Sequence, residues 1–298
     1  MAPSATFIDV EPPTVIGPAT KKATRPSSEL PQSLIQGAKI GLKGHGISPH
    51  AASEPFSLFT QEAIAQMREE IFDEKVLADC QYSSTFNKHM VRGMGPARAP
   101  FTYAAWKSPA VLEKISQVAG IDLVPSFDFE IANINISVRD EKSSVEEVVQ
   151  LVNDNELPAV AWHYDSFPFV CVTMLSDCTG MVGGETALRM PSGEIMKVRG
   201  PAMTAVVMQG RYIEHQALRA LGGRERISMV TCFRAKDPLV KDETVLVGIL
   251  EERIRHQLKK ERERVTAQKP FNIAEMKRFL MNQNLFIESM LTEIQEVD

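Results

Sequence analysis

Between Pro125 and Lys236 the chain is cut into short apolar runs by turn signals. Gly183-Gly184, Ser192-Gly193, Gln209-Gly210 and Gly222-Gly223 leave room only for strands of a few residues between them. The runs are 159–164, 169–175, 185–190, 194–199, 203–209, 212–215 and 226–233. Strands recurring at this short spacing mark an all-β sandwich or barrel. Ahead of them, Phe127 to Val138 alternates, with Ile134, Ile136 and Val138 on one side and Asn133, Asn135 and Ser137 on the other. A polar strand face is costly in a core, so this one should look onto a wet pocket or the outside.

Helices are expected on either flank. Thr60 caps a first one, with Glu62 in its first turn and apolar spacing to about Ala78. Ser108, Pro109 and Gly120 mark the start and stop of a second. Residues 39–55 and 91–100, rich in Gly and Pro, read as loops; they carry His45, His50, Arg92 and Arg98. After Pro238, Asp242 opens a charged helix to about Thr266, and Asn272 caps another. The second carries an apolar stripe through Met276, Phe279, Leu280, Phe286, Met290 and Leu291, fit for core packing or a homodimer contact. Residues 1–35 are Pro-rich and read as a tail. The expected organisation is one domain over 36–298: a helical part (36–124), a β core (125–236) and C-terminal helices (237–298).

Composition excludes several classes. A net charge of −5 gives no electrostatic footing for nucleic acid. No run of 18 or more apolar residues is present, so no membrane span is expected. No hydrophobic signal core opens the chain, which points to a cytoplasmic protein. Cys80, Cys171, Cys178 and Cys232 lack zinc-type spacing and read as buried free thiols.

The chemistry concentrates at Trp162-His163-Tyr164-Asp165. In an extended strand His163 and Asp165 leave the same face. His215, some fifty residues on, can supply a second imidazole. Two His and one carboxylate with open positions is the donor set of non-haem Fe(II) sites. Arg226 and Ser228 share a strand face and can grip one carboxylate between a guanidinium fork and a hydroxyl.

The series His163-x-Asp165, Gly183-Gly184-Glu185-Thr186, Gly210-Arg211-Tyr212-x-x-His215 and Arg226-x-Ser228 resembles the Fe(II)/2-oxoglutarate-dependent oxygenases. The Arg-x-Ser element is similar to the isopenicillin N synthase branch, and Gly-Gly-Glu-Thr to the prolyl hydroxylases. The wording of 162–236 looks most like small fungal oxygenases of secondary metabolism. The resemblance implies a mainly β fold with flanking helices and a double-stranded β-helix (jelly-roll, cupin-like) core. It implies Fe(II) on His163, Asp165 and His215, with 2-oxoglutarate and O2 as cosubstrates. It places the far carboxylate of 2-oxoglutarate on Arg226 and Ser228, with Arg224 as the alternative and Asn135 near the cosubstrate. Retention of Asp165 disfavours halogenation, which needs that carboxylate replaced.

For a small-molecule substrate, Phe167 and Phe169 are candidate contacts, and Arg189 suits either a substrate carboxylate or a surface ion pair. Two other readings stay open. One is an oxidase of the isopenicillin N synthase kind, in which no oxo acid is used; the other is a barrel that binds a ligand without redox chemistry.

Overall fold

A computed structural model of the chain describes residues 31, 34–36, 46–83, 87, 89–138, 158–177, 181–190, 192–198, 203–218, 220–221, 225–241, 243–245, 258, 261–262 and 264–293. The expectations for His45, Cys178, Gly222-Gly223, Arg224, Asp242, nearly all of the tail and most of the first C-terminal helix lie outside these residues.

The N-terminal part runs β1 (Leu34–Gln36), β2 (His50–Ser53), β3 (Phe56–Ser57), α1 (Gln61–Ile71), α2 (Glu74–Cys80), β4 (Gln81–Tyr82), β5 (Met90–Val91), α3 (Pro100–Trp106) and α4 (Pro109–Ala119). Then come β6 (Leu123–Pro125), a 3-10 turn (Asp128–Glu130), β7 (Asn133–Val138), β8 (Pro158–His163), β9 (Phe169–Met174), β10 (Val182–Gly183), β11 (Thr186–Arg189) and β12 (Ile195–Val198). The described chain continues through β13 (Thr204–Met208), β14 (His215–Leu218), β15 (Ala220–Leu221), β16 (Glu225–Ala235) and α5 (Ile273–Glu293).

Eight of these strands form the core. One sheet has the order β13-β9-β16-β7 along its centre, and a second has β12-β11-β14-β8. Every pairing is antiparallel. The chain crosses between the two sheets at β7–β8–β9, returns to the second for β11 and β12, and crosses again at β13–β14–β16. That winding is a double-stranded β-helix, the fold class the resemblance implied.

Strand alternation sorts the large sheet into two faces. Ile134, Ile136, Phe169, Cys171, Ile227, Met229 and Phe233 join the helices in one core cluster built on Trp106, Tyr103, Met67 and Ile115. Trp106 packs edge-on against Phe59 and tilted against Phe233. Asn133, Asn135 and Ser137 turn the other way and line a cavity between the sheets, the wet pocket expected of a polar strand face.

Four local expectations need correction. The helix expected from Thr60 to Ala78 is two helices, because the Asp73 carboxylate accepts from Lys75 N and caps a new start. The 39–55 loop contains β2, which pairs with both β1 and β13. The strand expected over 212–215 begins at His215, since Tyr212 N donates to Gln209 O in a turn. On α5, Leu280 and Leu291 of the apolar stripe are exposed (57% and 70%), so these two do not pack against the barrel. Among the described residues no helix is long and apolar enough to cross a membrane.

Candidate metal centre

His163 and His215 face each other directly across the β8–β14 pairing. Their rings lie with centroids 4.3 Å apart. His163 closes β8, and Asp165 sits two residues past it, where its N–H donates to Gly210 O at 2.9 Å. That bond continues the extended path beyond the strand's end, so the side chain still projects beside the imidazoles. Asp165 Oδ1 is 3.6 Å from His163 Nε2, and Oδ2 is 3.3 Å from His215 Nε2. The three donor atoms lie within 4.8 Å of one another.

Each imidazole is oriented from behind. Nδ1 of His163 bonds Ala161 O at 2.7 Å, and Nδ1 of His215 bonds Ile213 O at 2.8 Å. A carbonyl can only accept, so both Nδ1 atoms carry a proton and both Nε2 atoms aim at the shared space. Among the described residues, Asp165 Oδ2 is buried with no hydrogen-bond partner. A buried, unsatisfied carboxylate oxygen is costly unless something else meets it, and a cation among these donors would. Gly210 leaves the room: a Cβ there would land inside the envelope of Asp165 Oδ2. Nitrogen donors with one carboxylate and unfilled positions fit Fe(II).

Burial alone would raise the Asp165 carboxyl, but the neighbouring imidazoles of His215 and His163 outweigh it and hold the group well below the usual carboxylate range. Burial likewise disfavours charge on His215, and there Asp165 outweighs it and raises the imidazole. An entering metal ion therefore displaces a proton from His215, and its affinity weakens as pH falls.

The triad opens onto a cavity of about 240 Å³. Arg226 and Ser228 line its wall on β16, both buried. Arg226 Nε donates to Gly184 O at 3.0 Å and Nη1 to Ser228 Oγ at 3.3 Å, so the Gly-Gly turn steers the guanidinium. Asn135 stands opposite Ser228 in the β7–β16 register and accepts from Asn87. Phe167 lines the cavity as well.

Two candidates are not brought there. Phe169 opens β9 on its helix-facing side and packs in the core. Arg189 is half exposed, pairs with Glu214 at 3.1 Å and stacks on Trp162, which is the surface ion pair rather than a substrate contact. The cavity also holds groups that were not site candidates, although Asn133 stood on the polar face expected to meet a pocket. Glu130 is buried and pairs with Arg92 at 2.8 Å. Asn133 Nδ2 donates to the same carboxylate at 2.6 Å. An acidic residue within an otherwise apolar stretch was the available signal for Glu130. Arg92 was visible only as a basic loop residue, since its partner lies 38 residues away.

No protein-family model matches the chain, and no curated protein matches it. Among solved structures, a prolyl-4-hydroxylase from Pseudomonas putida is similar at 15% identity and a TM-score of 0.41, over 68% of this chain and 100% of that one. AviO1 from Streptomyces viridochromogenes is similar at 14% identity and a TM-score of 0.45, over 70% of this chain and 98% of the other. SnoN of nogalamycin biosynthesis, a non-haem α-ketoglutarate-dependent epimerase, is similar at 13% identity and a TM-score of 0.44, over 62% and 78%. The roles of individual residues rest on the geometry above.

Proposed function

We propose that the chain is an Fe(II)/2-oxoglutarate-dependent oxygenase that oxidises a C–H bond of a small molecule such as an amino acid or natural-product intermediate. One observation carries this reading. A 2-His-1-carboxylate set shares one cavity with a buried guanidinium and hydroxyl suited to a dicarboxylic oxo acid. His163, Asp165 and His215 would hold the iron, leaving positions for cosubstrate and O2. Bound there, Fe(II) supplies oxygen activation driven by decarboxylation of 2-oxoglutarate to succinate and carbon dioxide.

The protein's part is placement. Ala161 O and Ile213 O fix the imidazole tautomers, and Gly210 leaves space for the Asp165 carboxylate. Arg226 and Ser228 anchor the far carboxylate of the oxo acid, and Gly184 O keeps the guanidinium turned to the cavity wall. Apolar Val160, Val170, Val172 and Phe167 exclude water from the reacting region.

The deciding experiment is succinate formation from 2-oxoglutarate under Fe(II) and air, followed while small molecules are screened for stimulation. Succinate that requires Fe(II) and disappears in His215→Ala is the expected result. Oxygen uptake without succinate would mark the isopenicillin N synthase kind of oxidase. A protein that binds neither Fe(II) nor 2-oxoglutarate would be a ligand-binding barrel.

A further inference from the structure

The strongest unassigned feature is the amide of Asn133. It is only 4% exposed and lines the cavity, yet among the described residues its Oδ1 has no hydrogen-bond partner. The other end of the amide is committed, because Nδ2 donates to Glu130 Oε2. Among the described residues Oδ1 is therefore a fixed acceptor held without a donor, an arrangement that calls for a ligand, ion or water to supply one. The backbone adds a second sign. Ala132, immediately before it, is buried with φ of 58°, a left-handed conformation unfavourable for a residue with a Cβ. Its N–H is held by Thr231 Oγ1 at 3.0 Å. The strained step sits between the turn bearing Glu130 and the strand bearing Asn133, and both side chains reach the same cavity.

We propose that Asn133 and Glu130 form a substrate-recognition subsite that takes the ammonium group of a small amine. The chemistry favours this group over others. An ammonium brings three donors and no acceptor, so it can satisfy Asn133 Oδ1 and meet the Glu130 carboxylate together. A hydroxyl offers one donor and no charge. A carboxylate would face Glu130 and leave Asn133 Oδ1 unmet. Arg92 balances Glu130 through Oε2, which makes the carboxylate tolerable when the cavity is empty of substrate. Glu130 and Asn133 line the same cavity as His163, Asp165 and His215, so the subsite and the metal centre share one space. Phe167, Val170 and Val230 complete the wall, so the amine should carry a compact apolar body. Amine binding stands apart from the proposed function; only the oxidation of the bound amine rests on it.

The test uses the full chain loaded with Zn(II), which neutralises Asp165 without redox chemistry. Isobutylamine and isobutanol, probes of equal size, are compared by ligand-observed NMR, and 2-oxoglutarate binding is titrated in the same samples. The wild-type protein is expected to bind the amine about tenfold more tightly than the alcohol. Glu130→Gln and Asn133→Leu should each remove most of that preference while still binding Zn(II). Equal affinities in the wild type, or a preference that survives both substitutions, would overturn the proposal. The wild-type comparison needs no variant to fold. Failure of 2-oxoglutarate to bind, with the amine preference intact, would sink the oxygenase reading and leave the subsite standing.

Discussion

Along β16 the two faces of one strand are made of different chemistry. Ile227, Met229 and Phe233 point to the helices and join the main core. Arg226, Ser228, Val230 and Cys232 point to the cavity. The first face is apolar and close-packed, so its energy comes from burial and shape. The second buries a guanidinium and a hydroxyl, groups that cost stability unless each finds a partner. The neighbouring strands repeat the division, with Ile134 and Ile136 against Asn133, Asn135 and Ser137 on β7. A sheet so divided is anchored by one side and holds its reactive groups on the other. Damage to the two faces should therefore be read out by different measurements.

The largest effect is expected on the helix side. Phe233→Ala removes a fully buried ring from contact with Trp106 and should cost about 3–5 kcal/mol in urea unfolding. Metal affinity of the folded fraction should stay as in the wild type. A parallel loss of metal binding at this site would mean the two faces are not separable. Next comes Arg226→Leu on the cavity side, which removes one partner of a charged contact. It should weaken 2-oxoglutarate binding by about 2–5 kcal/mol in calorimetry. Unchanged affinity there would pass the anchoring role to Arg224.

Metal binding gives the middle of the range. Mn(II) at a hundred times its Kd should stabilise the fold by about 2.7 kcal/mol, seen as a raised thermal midpoint. His215→Ala should abolish that gain. Gly210→Ala tests the space behind the triad, since the added methyl must displace Asp165. A loss of about 10–100-fold in metal affinity is expected, the range typical of disturbing what orients a ligand. Retained affinity would show that the carboxylate can bind from another position.

How far these faces could be read in the sequence depends on the range of the interactions that set them. Local signals carried over well. The Ser108 cap, Pro109 and Gly120 bound α4 as expected, with Ser108 Oγ accepting from Val111 N and Gly120 at φ of 73°. The alternation of β7 is likewise local. The His163, Asp165 and His215 set was legible because side-chain types and order survive in any strand pairing that joins them. What alternation cannot supply is the sign of the face. Phe169 and Val170 differ by one residue, and only the helices packed outside decide which of them meets the cavity. The break at Asp73 was hidden because apolar spacing runs through it, while the deciding bond is one carboxylate to one backbone N–H. In the Arg92–Glu130–Asn133 cluster the contact between Glu130 and Asn133 spans three residues, but Arg92 joins them from 38 residues away and only in the folded sheet.

The smallest effect sharpens the division from outside the barrel. Arg189 lies on β11, paired in register with β14, and Leu188 sits opposite His215. Proximity along the chain thus puts a cation one residue from the metal-bearing strand, although its side chain leaves toward solvent. Its guanidinium pairs with Glu214 at side-chain exposures of 45% and 28%. Exposed pairs of this kind contribute about 0–1 kcal/mol, and stacking on Trp162 adds about 0.5–1. The bond that keeps β11 beside β14 is made by the backbone, from Arg189 N to Glu214 O at 2.9 Å, and alanine retains it. Arg189→Ala should therefore lower stability by about 1 kcal/mol and leave metal, 2-oxoglutarate and isobutylamine affinities within twofold. A tenfold loss in any of the three would show that strand facing alone does not separate this surface from the cavity, and would return Arg189 to the substrate site.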